Sequence, residues 1–263
     1  MDYVEALQYI DGLTNYEKKT GYAYSSTNFD LRRPRELLSL MGDPHLRYPT
    51  ILVAGTKGKG STSVMIASIL RASGRRVGFY SQPHFHTFRE RIRIDDNLIT
   101  PDDLASAMEA VTPAVSWLRQ NRPELGAPTA YEAATAAALH YFALQSPDIV
   151  VLEVGLGGRL DATNVAIPLV SVITPISLDH VQLLGNNLAQ IAYEKAGIIK
   201  ENGVVVSAEQ PEPAMEIIRL MAAERGAKLV VARPQIVESE DGHIRRDSFL
   251  NGEPARPLRE RTR

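Results

Sequence analysis

The densest chemistry in the 263-residue chain lies in eight consecutive residues, Gly55-Thr56-Lys57-Gly58-Lys59-Gly60-Ser61-Thr62. An apolar run, Thr50-Ile51-Leu52-Val53-Ala54, precedes them, and Val64-Met65-Ile66-Ala67-Ser68-Ile69-Leu70 follows. The order reads as strand, glycine-rich turn and helix. Such a turn lets backbone N–H groups close around phosphate oxygens, and the new helix adds its positive end. Lys59 can bring a full charge to the terminal phosphates, and Ser61 or Thr62 an oxygen to a magnesium ion. The strict G-x-x-x-x-G-K-[ST] pattern is not met. Val53 stands five residues before Gly58, and Gly60 separates Lys59 from Ser61. The sequence therefore specifies a variant phosphate loop. The competing reading, a glycine-rich turn with two solvated lysines, leaves both hydroxyls without a role.

Four further groups follow predicted strands or lie on a helix nearby. Glu153 ends the apolar run Ile149-Val150-Val151-Leu152 and opens a glycine-rich stretch, Val154-Gly155-Leu156-Gly157-Gly158-Arg159-Leu160-Asp161-Ala162-Thr163-Asn164. A carboxylate there is expected to face the nucleotide crevice and Mg²⁺, because burial inside the sheet is costly; the alternative is a pair with Arg159. His180, in Thr174-Pro175-Ile176-Ser177-Leu178-Asp179-His180, offers a metal ligand or proton carrier one strand along, with Asp179 to orient it or cap the next turn. Lys195, in Tyr193-Glu194-Lys195-Ala196-Gly197, reads on spacing alone as a solvated helix lysine. The segment from Tyr80 to Arg93 mixes aromatics, arginines and histidines around Gln82-Pro83-His84. It can stack on a flat heterocycle and neutralise carboxylates, or it can be a basic surface loop.

The elements that must position these groups alternate. Strands are expected at 50–54, 76–81, 148–154, 170–175, 203–208 and 228–232, with helices at 60–73, 102–120, 130–145, 187–199 and 212–225. Strands apolar throughout, such as Val204-Val205-Val206, belong to a sheet covered on both faces. The fold class is therefore α/β, a doubly wound, mostly parallel sheet with a P-loop, whose functional loops gather at the carboxyl ends of the strands. Residues 1–48 form a helical preface of the same domain, with helices around Val4–Ile10 and Arg35–Met41 and a polar loop from Gly21 to Asn28. Residues 49–233 form the P-loop ATPase domain and 234–263 a polar tail, with a hairpin or loop at Ser239–His243. An apolar fraction of 44%, 23% charged residues and a net charge of -2 describe a globular protein and argue against a general nucleic-acid or membrane-surface partner. The absence of cysteine excludes disulfides, thiolate metal sites and cysteine nucleophiles. With no membrane-length apolar run and no signal peptide evident, a cytoplasmic monomer is expected.

Together the motifs resemble the folylpolyglutamate synthase/dihydrofolate synthase family of the Mur ligase superfamily. The carriers are Gly55–Ser61, Pro83-His84 with Glu90-Arg91, Leu152–Asn164, Leu178-Asp179-His180 and Glu194-Lys195-Ala196-Gly197-Ile198, in family order over about residues 1–232. The resemblance implies an ATP- and Mg²⁺-dependent amide ligase that joins L-glutamate to a folate or dihydropteroate carboxylate through an acyl phosphate. It implies that Thr56, Lys57, Gly58, Lys59, Gly60 and Ser61 hold ATP, and that Ser61, Gln82, Glu153 and His180 occupy metal positions. Phe29, Asp30, Leu31, Thr129, Leu160, Asp161 and Ala162 correspond to pterin-substrate positions. Lys195 corresponds to a lysine that becomes carbamylated, which requires a neutral amine. Lys59, His180 and Lys195 are the expected catalytic set.

Two departures stand out. The family places a magnesium-binding serine directly before the proline; this chain has Gln82 there and Ser81 one residue early, so either the Gln82 amide oxygen or Ser81 would replace it. The family also carries a C-terminal α/β domain, and the sequence ends before one, which implies a truncated chain. Three other readings remain: a MgATP-binding module without turnover, a Mur-type peptidoglycan ligase needing a UDP-sugar site, and a generic P-loop kinase. The last gives no role to Gly60 or to Leu160–Asn164.

Overall fold

The computed structural model describes residues 1–16, 29–238, 244–250 and 253–254, with side chains as far as Arg233. The chain opens with helices α1 (Tyr3–Gly12) and α2 (Arg32–Leu40), then strand β1 (Thr50–Ala54), helix α3 (Lys59–Ala72) and strand β2 (Val77–Tyr80). Short strands β3 (Ile92–Ile94) and β4 (Asn97–Leu98) precede α4 (Pro101–Asn121), α5 (Ala130–Gln145) and β5 (Ile149–Glu153). The chain continues through β6 (Val170–Ile173), α6 (Val181–Leu184), α7 (Leu188–Ala196), β7 (Val204–Ala208) and α8 (Glu212–Glu224). It finishes with β8 (Lys228–Glu238), β9 (Ile244–Leu250) and β10 (Glu253–Pro254). No helix among the described residues is long and apolar enough to cross a membrane.

The strands form one sheet in the order β10-β9-β8-β7-β6-β1-β5-β2-β3-β4. From β8 to β2 the pairings are parallel, and at each margin they turn antiparallel. The six parallel strands are those expected from their apolar runs. β1 leads through α3 to β2 on one side of it, whereas its neighbour β6 leads through α7 to β7 on the other. Divergent connections open a crevice at the carboxyl ends of β1 and β6, where α/β proteins bind ligands.

Two apolar layers fix this frame. On one face Leu52, Tyr80, Leu152 and Phe142 are completely or almost completely buried with α4 and α5. The run Ala133, Ala134, Ala136, Ala137 and Ala138 lets α5 approach the sheet closely. Burying each large side chain contributes about 1.5–3 kcal/mol. On the other face α3 covers Val53, Val77, Phe79 and Val151 through Ala67. The preface helices α1 and α2 pack on α4 and α5.

The last parallel strand, expected to stop at 232, continues to Glu238 and pairs with β9 in register from Ala232↔Leu250 to Glu238↔Ile244. The sequence of this extension, Pro234-Gln235-Ile236-Val237-Glu238, interrupts the apolar run, so the pattern that marks the strand stops at Ala232. The expected polar tail thus contains strand as far as Pro254. The loops expected at Gly21–Asn28 and Ser239–His243 lie outside the described residues, except that the first adjoins Phe29.

Candidate active site

The phosphate turn joins the end of β1 to the start of α3. Gly55 has φ 148°, and a Cβ there would lie 1.8 Å from Thr174 Oγ1, so only glycine lets the loop after β6 approach this closely. The N–H groups of Thr56 and Lys57 both donate to Pro175 O, at 3.1 and 3.2 Å. The Thr56 hydroxyl accepts from Ser177 N and donates to Ser177 O, both at 3.2 Å. The open amides of the turn therefore begin at Gly58, the N-cap of α3, and continue through the first helical residues Lys59, Gly60 and Ser61. These amides and the half-buried Lys59 can cradle an anion.

Glu153, the last residue of β5, sits directly over this helix start. A Cβ on Gly60 would lie 3.4 Å from its Oε1. The side chain is 5% exposed, and its one hydrogen bond among the described residues is a long one from Gln82 N to Oε2, 3.4 Å. Burial pushes its pKa up, against weaker opposing pulls from Gln82 N–H and the Lys59 charge. The alternative pair with Arg159 is not formed. Arg159 instead grips Glu194 through Nε at 3.2 and 3.1 Å and Nη2 at 2.8 Å, because the glycine-rich loop turns back onto α7.

Among the described residues no three His, Asp or Glu side chains converge to hold a metal unaided. The donor set fits Mg²⁺ in another way, through one carboxylate, neutral oxygens and ligand phosphates. Glu153 could be that carboxylate, since it is buried and among the described residues no cation is in ion-pair contact with it. Gln82, whose N–H meets Glu153, and Ser61, which follows Gly60 in the turn, could supply neutral oxygens, and His180, which lines the adjoining cleft with Gln82, a nitrogen.

The loop after β6 brings up Asp179 and His180. Asp179 lies 3.7 Å from Lys57 Nζ and accepts from His180 N at 2.9 Å. His180 has left-handed backbone (φ 47°) and a side chain more than half exposed. Lys195 is not the solvated lysine that its spacing suggests. It is 4% exposed, and its Nζ donates to Gly55 O at 2.9 Å, underneath the phosphate turn. Burial first, and the Lys59 charge second, lower its pKa to about 8.

Beside the turn opens a cleft of about 290 Å³, lined among others by Phe29, Gln82, Thr129, Leu160, Asp161, Ala162 and His180. Five of the seven residues expected at a pterin position thus meet in one cavity. Asp30 and Leu31 do not line it. Asp30 pairs with Arg32 at 2.5 Å, while Leu31 packs against the core. Asp161 is buried and accepts from Gly155 N and Leu156 N at 3.0 Å, Thr163 N at 2.9 Å, Thr163 Oγ1 at 2.5 Å and Tyr131 Oη at 3.0 Å. Burial still raises its pKa, against those donors.

Two residues in the cleft wall escape sequence reasoning. Tyr131 donates to Asp161 and accepts from Gln82 Nε2 at 2.8 Å. Glu132 caps α5 by accepting from Thr129 N at 2.8 Å and forms a buried two-point pair with Arg33, 2.7 Å to each oxygen. The available signal was the Thr129-x-x-Glu132 capping box, which starts a helix with an aromatic residue inside its first turn.

The segment following β2 is less basic surface than ordered scaffold. The Glu90 carboxylate accepts from Phe85 N, His86 N and Thr87 N at 2.8, 2.9 and 2.9 Å, which holds its pKa at about 2. His84 Nδ1 accepts from Arg91 Nε at 2.9 Å, and Arg91 stacks on Phe88.

Residues 53–234 match the Mur ligase middle domain. The dihydrofolate synthase/folylpolyglutamate synthase of Bacillus subtilis is 39% identical over 226 residues, 86% of this chain and 50% of that protein. The folylpolyglutamate synthase of Lacticaseibacillus casei is 38% identical, over 87% of this chain and 51% of its own length. This chain thus spans about half the length of these curated relatives. Among solved structures, folylpolyglutamate synthase (FPGS) of Thermotoga maritima superposes with a TM-score of 0.78 at 36% identity, covering 94% of this chain and 54% of that one. An FPGS–AMPPCP–folate complex gives 0.79 at 35% identity, covering 92% and 60%. With the strand order, the variant phosphate turn and the match over most of its length in agreement, the chain belongs to the Mur ligase middle-domain family.

Proposed function

We propose that this chain is the nucleotide- and folate-binding part of an ATP-dependent ligase that adds L-glutamate to a folate or dihydropteroate carboxylate. The observation that carries the reading is the buried Glu153 side chain, in no ion pair among the described residues, over an open phosphate turn and next to a cleft with an aromatic wall. The relatives' names and the FPGS–AMPPCP–folate complex point the same way.

In this reading Gly58–Ser61 amides and Lys59 bind the ATP phosphates, and Thr56 and Lys57 hold the turn in place. Glu153, with Ser61, Gln82 and His180, would hold Mg²⁺. The ion would neutralise phosphate charge during transfer. Phe29, Thr129 and Leu160–Ala162 orient the pterin end in the cleft, so that the distal carboxylate reaches the γ-phosphorus. A carboxylate oxygen bonds to that phosphorus as the bond to the ADP oxygen breaks, giving an acyl phosphate. The glutamate amine then attacks the acyl carbon, loses a proton and displaces phosphate. Lys195, with its low pKa, is suited to add as a neutral amine to CO₂ and become a carbamate.

The test is AMPPCP binding by calorimetry with Mg²⁺ and with EDTA, followed by phosphate release with dihydropteroate or tetrahydrofolate and glutamate. Mg²⁺-dependent binding that Glu153→Gln reduces about 100-fold is the expected result. Absence of nucleotide binding by the folded chain would refute the reading.

A further inference from the structure

The glutamine standing where the family has a serine needs a definite orientation before it can serve a cation. An amide has an acceptor end and a donor end of nearly equal size. Reversed, it would present an N–H₂ group, which repels a cation.

We propose that Tyr131, polarised by Asp161, is a positioning residue that fixes the Gln82 amide with Nε2 inward and leaves Oε1 as a hard oxygen ligand at the crevice. The proposal rests on the MgATP reading above. The direction of the hydrogen-bond chain follows from donors that cannot reverse. Backbone N–H groups of Gly155 and Leu156 occupy Asp161 Oδ2, and that of Thr163 occupies Oδ1. The carboxylate is therefore the terminal acceptor. The Tyr131 hydroxyl, 3.0 Å away, gives it its one proton. Tyr131 Oη can then only accept from Gln82, and the group 2.8 Å from it must be Nε2.

The environment closes off the alternative. Gly155 packs against this junction, where a Cβ would meet Gln82 Nε2 at 3.0 Å, Tyr131 Oη at 3.1 Å and Asp161 Oδ2 at 3.2 Å. A flipped amide would set two acceptors against each other beside the buried Asp161. At its other end the same residue adjoins the acidic ligand, since Gln82 N donates to Glu153 Oε2. One residue thus touches the cation's carboxylate through its backbone and offers it an oxygen through its side chain. In this arrangement the tyrosine and aspartate contribute to metal binding without touching the metal.

The experiment is a double-mutant cycle on the full chain, with Tyr131→Phe and Gln82→Ser. Its readout is the ratio of AMPPCP dissociation constants in EDTA and in Mg²⁺. Tyr131→Phe should lower that ratio about tenfold while leaving the EDTA value unchanged. In the Gln82→Ser background, where no amide remains to orient, the same substitution should have no effect. An equal loss in both backgrounds, or a wild-type ratio unmoved by Tyr131→Phe but abolished by Glu153→Gln, overturns the proposal and leaves the MgATP reading standing. A wild-type ratio of one overturns both. If Tyr131→Phe does not fold, the wild-type chain decides alone. On adding Mg²⁺ to the AMPPCP complex, the Gln82 side-chain carbonyl carbon resonance should move while its NH₂ protons hold position. Movement of the NH₂ protons alone, or of neither group, overturns the proposal.

Discussion

Replacing Lys195 with methionine should stabilise the protein at neutral pH and flatten its alkaline stability profile. The amine is 4% exposed and has a pKa of about 8 against the ordinary 10.5. A shift of that size means the buried charge costs roughly 3 kcal/mol at pH 7. Methionine fills similar space without charge but forfeits the bond to Gly55 O, worth about 1 kcal/mol. The net gain at pH 7 is therefore about 2 kcal/mol. Between pH 8 and 10.5 the unfolded chain binds more protons at this lysine than the folded one, so wild-type stability rises with pH across that window. About 2.5 kcal/mol of the cost disappears between pH 7 and 10. Urea unfolding of both proteins in CO₂-free buffer at pH 7, 8, 9 and 10 measures the difference, from which all other titrating groups cancel. The two curves should converge and cross near pH 10. Parallel curves would show that Lys195 is not deprotonated more readily in the folded state, and would remove the physical basis for its reaction with CO₂.

Gly55→Ala should destabilise by about 3 kcal/mol, since its Cβ overlaps Thr174 Oγ1 and its φ of 148° strains any side chain. Adding Thr174→Ala, which deletes the overlapping oxygen, should recover part of the loss in urea melts; no recovery would refute the steric account. Arg33→Met leaves Glu132 charged and buried without its partner and should cost about 3–5 kcal/mol, with Glu132→Gln in the same chain restoring much of it. If Arg33→Met proves neutral by thermal unfolding, the pair does not hold the preface helix to the cleft.

Sequence legibility followed the physics of each element. The central parallel strands β1, β2 and β5 are buried almost throughout and appear as apolar runs, whereas β6 and β7 alternate buried with half-buried residues and β8 is half-buried or exposed as far as Arg233. β3 and β4, three and two residues long, are too short to show a run even though Ile92 and Ile94 are buried in the core, and β9 joins the margin by antiparallel pairing that no apolar run announces. Glu153 was legible because a carboxylate closing an apolar strand is an anomaly. Lys195 was not, because helical spacing cannot distinguish a lysine turned inward from one in water. Arg33 and Glu132 lie 99 residues apart, and no local pattern joins them. Tyr131 looked like an ordinary residue of an alanine-rich helix, and its role exists only where Gln82 and Asp161 converge.

The contacts between the phosphate turn and the loop after β6 have a mechanical consequence. Two amides on one carbonyl, a hydroxyl shared with Ser177 and the facing Lys57 and Asp179 fasten the two loops side by side. The second of these loops also carries His180, which lines the cleft. In the proposed reading, the floor beneath the phosphates and one wall of the cleft are therefore tied to one another through these contacts. In that reading their separation is set by folding rather than recovered at each encounter, which would raise the effective molarity of one reactant for the other. A substitution that loosens the latch, such as Thr56→Val, would act on both ligands at once, like a slipped hinge pin between two jaws.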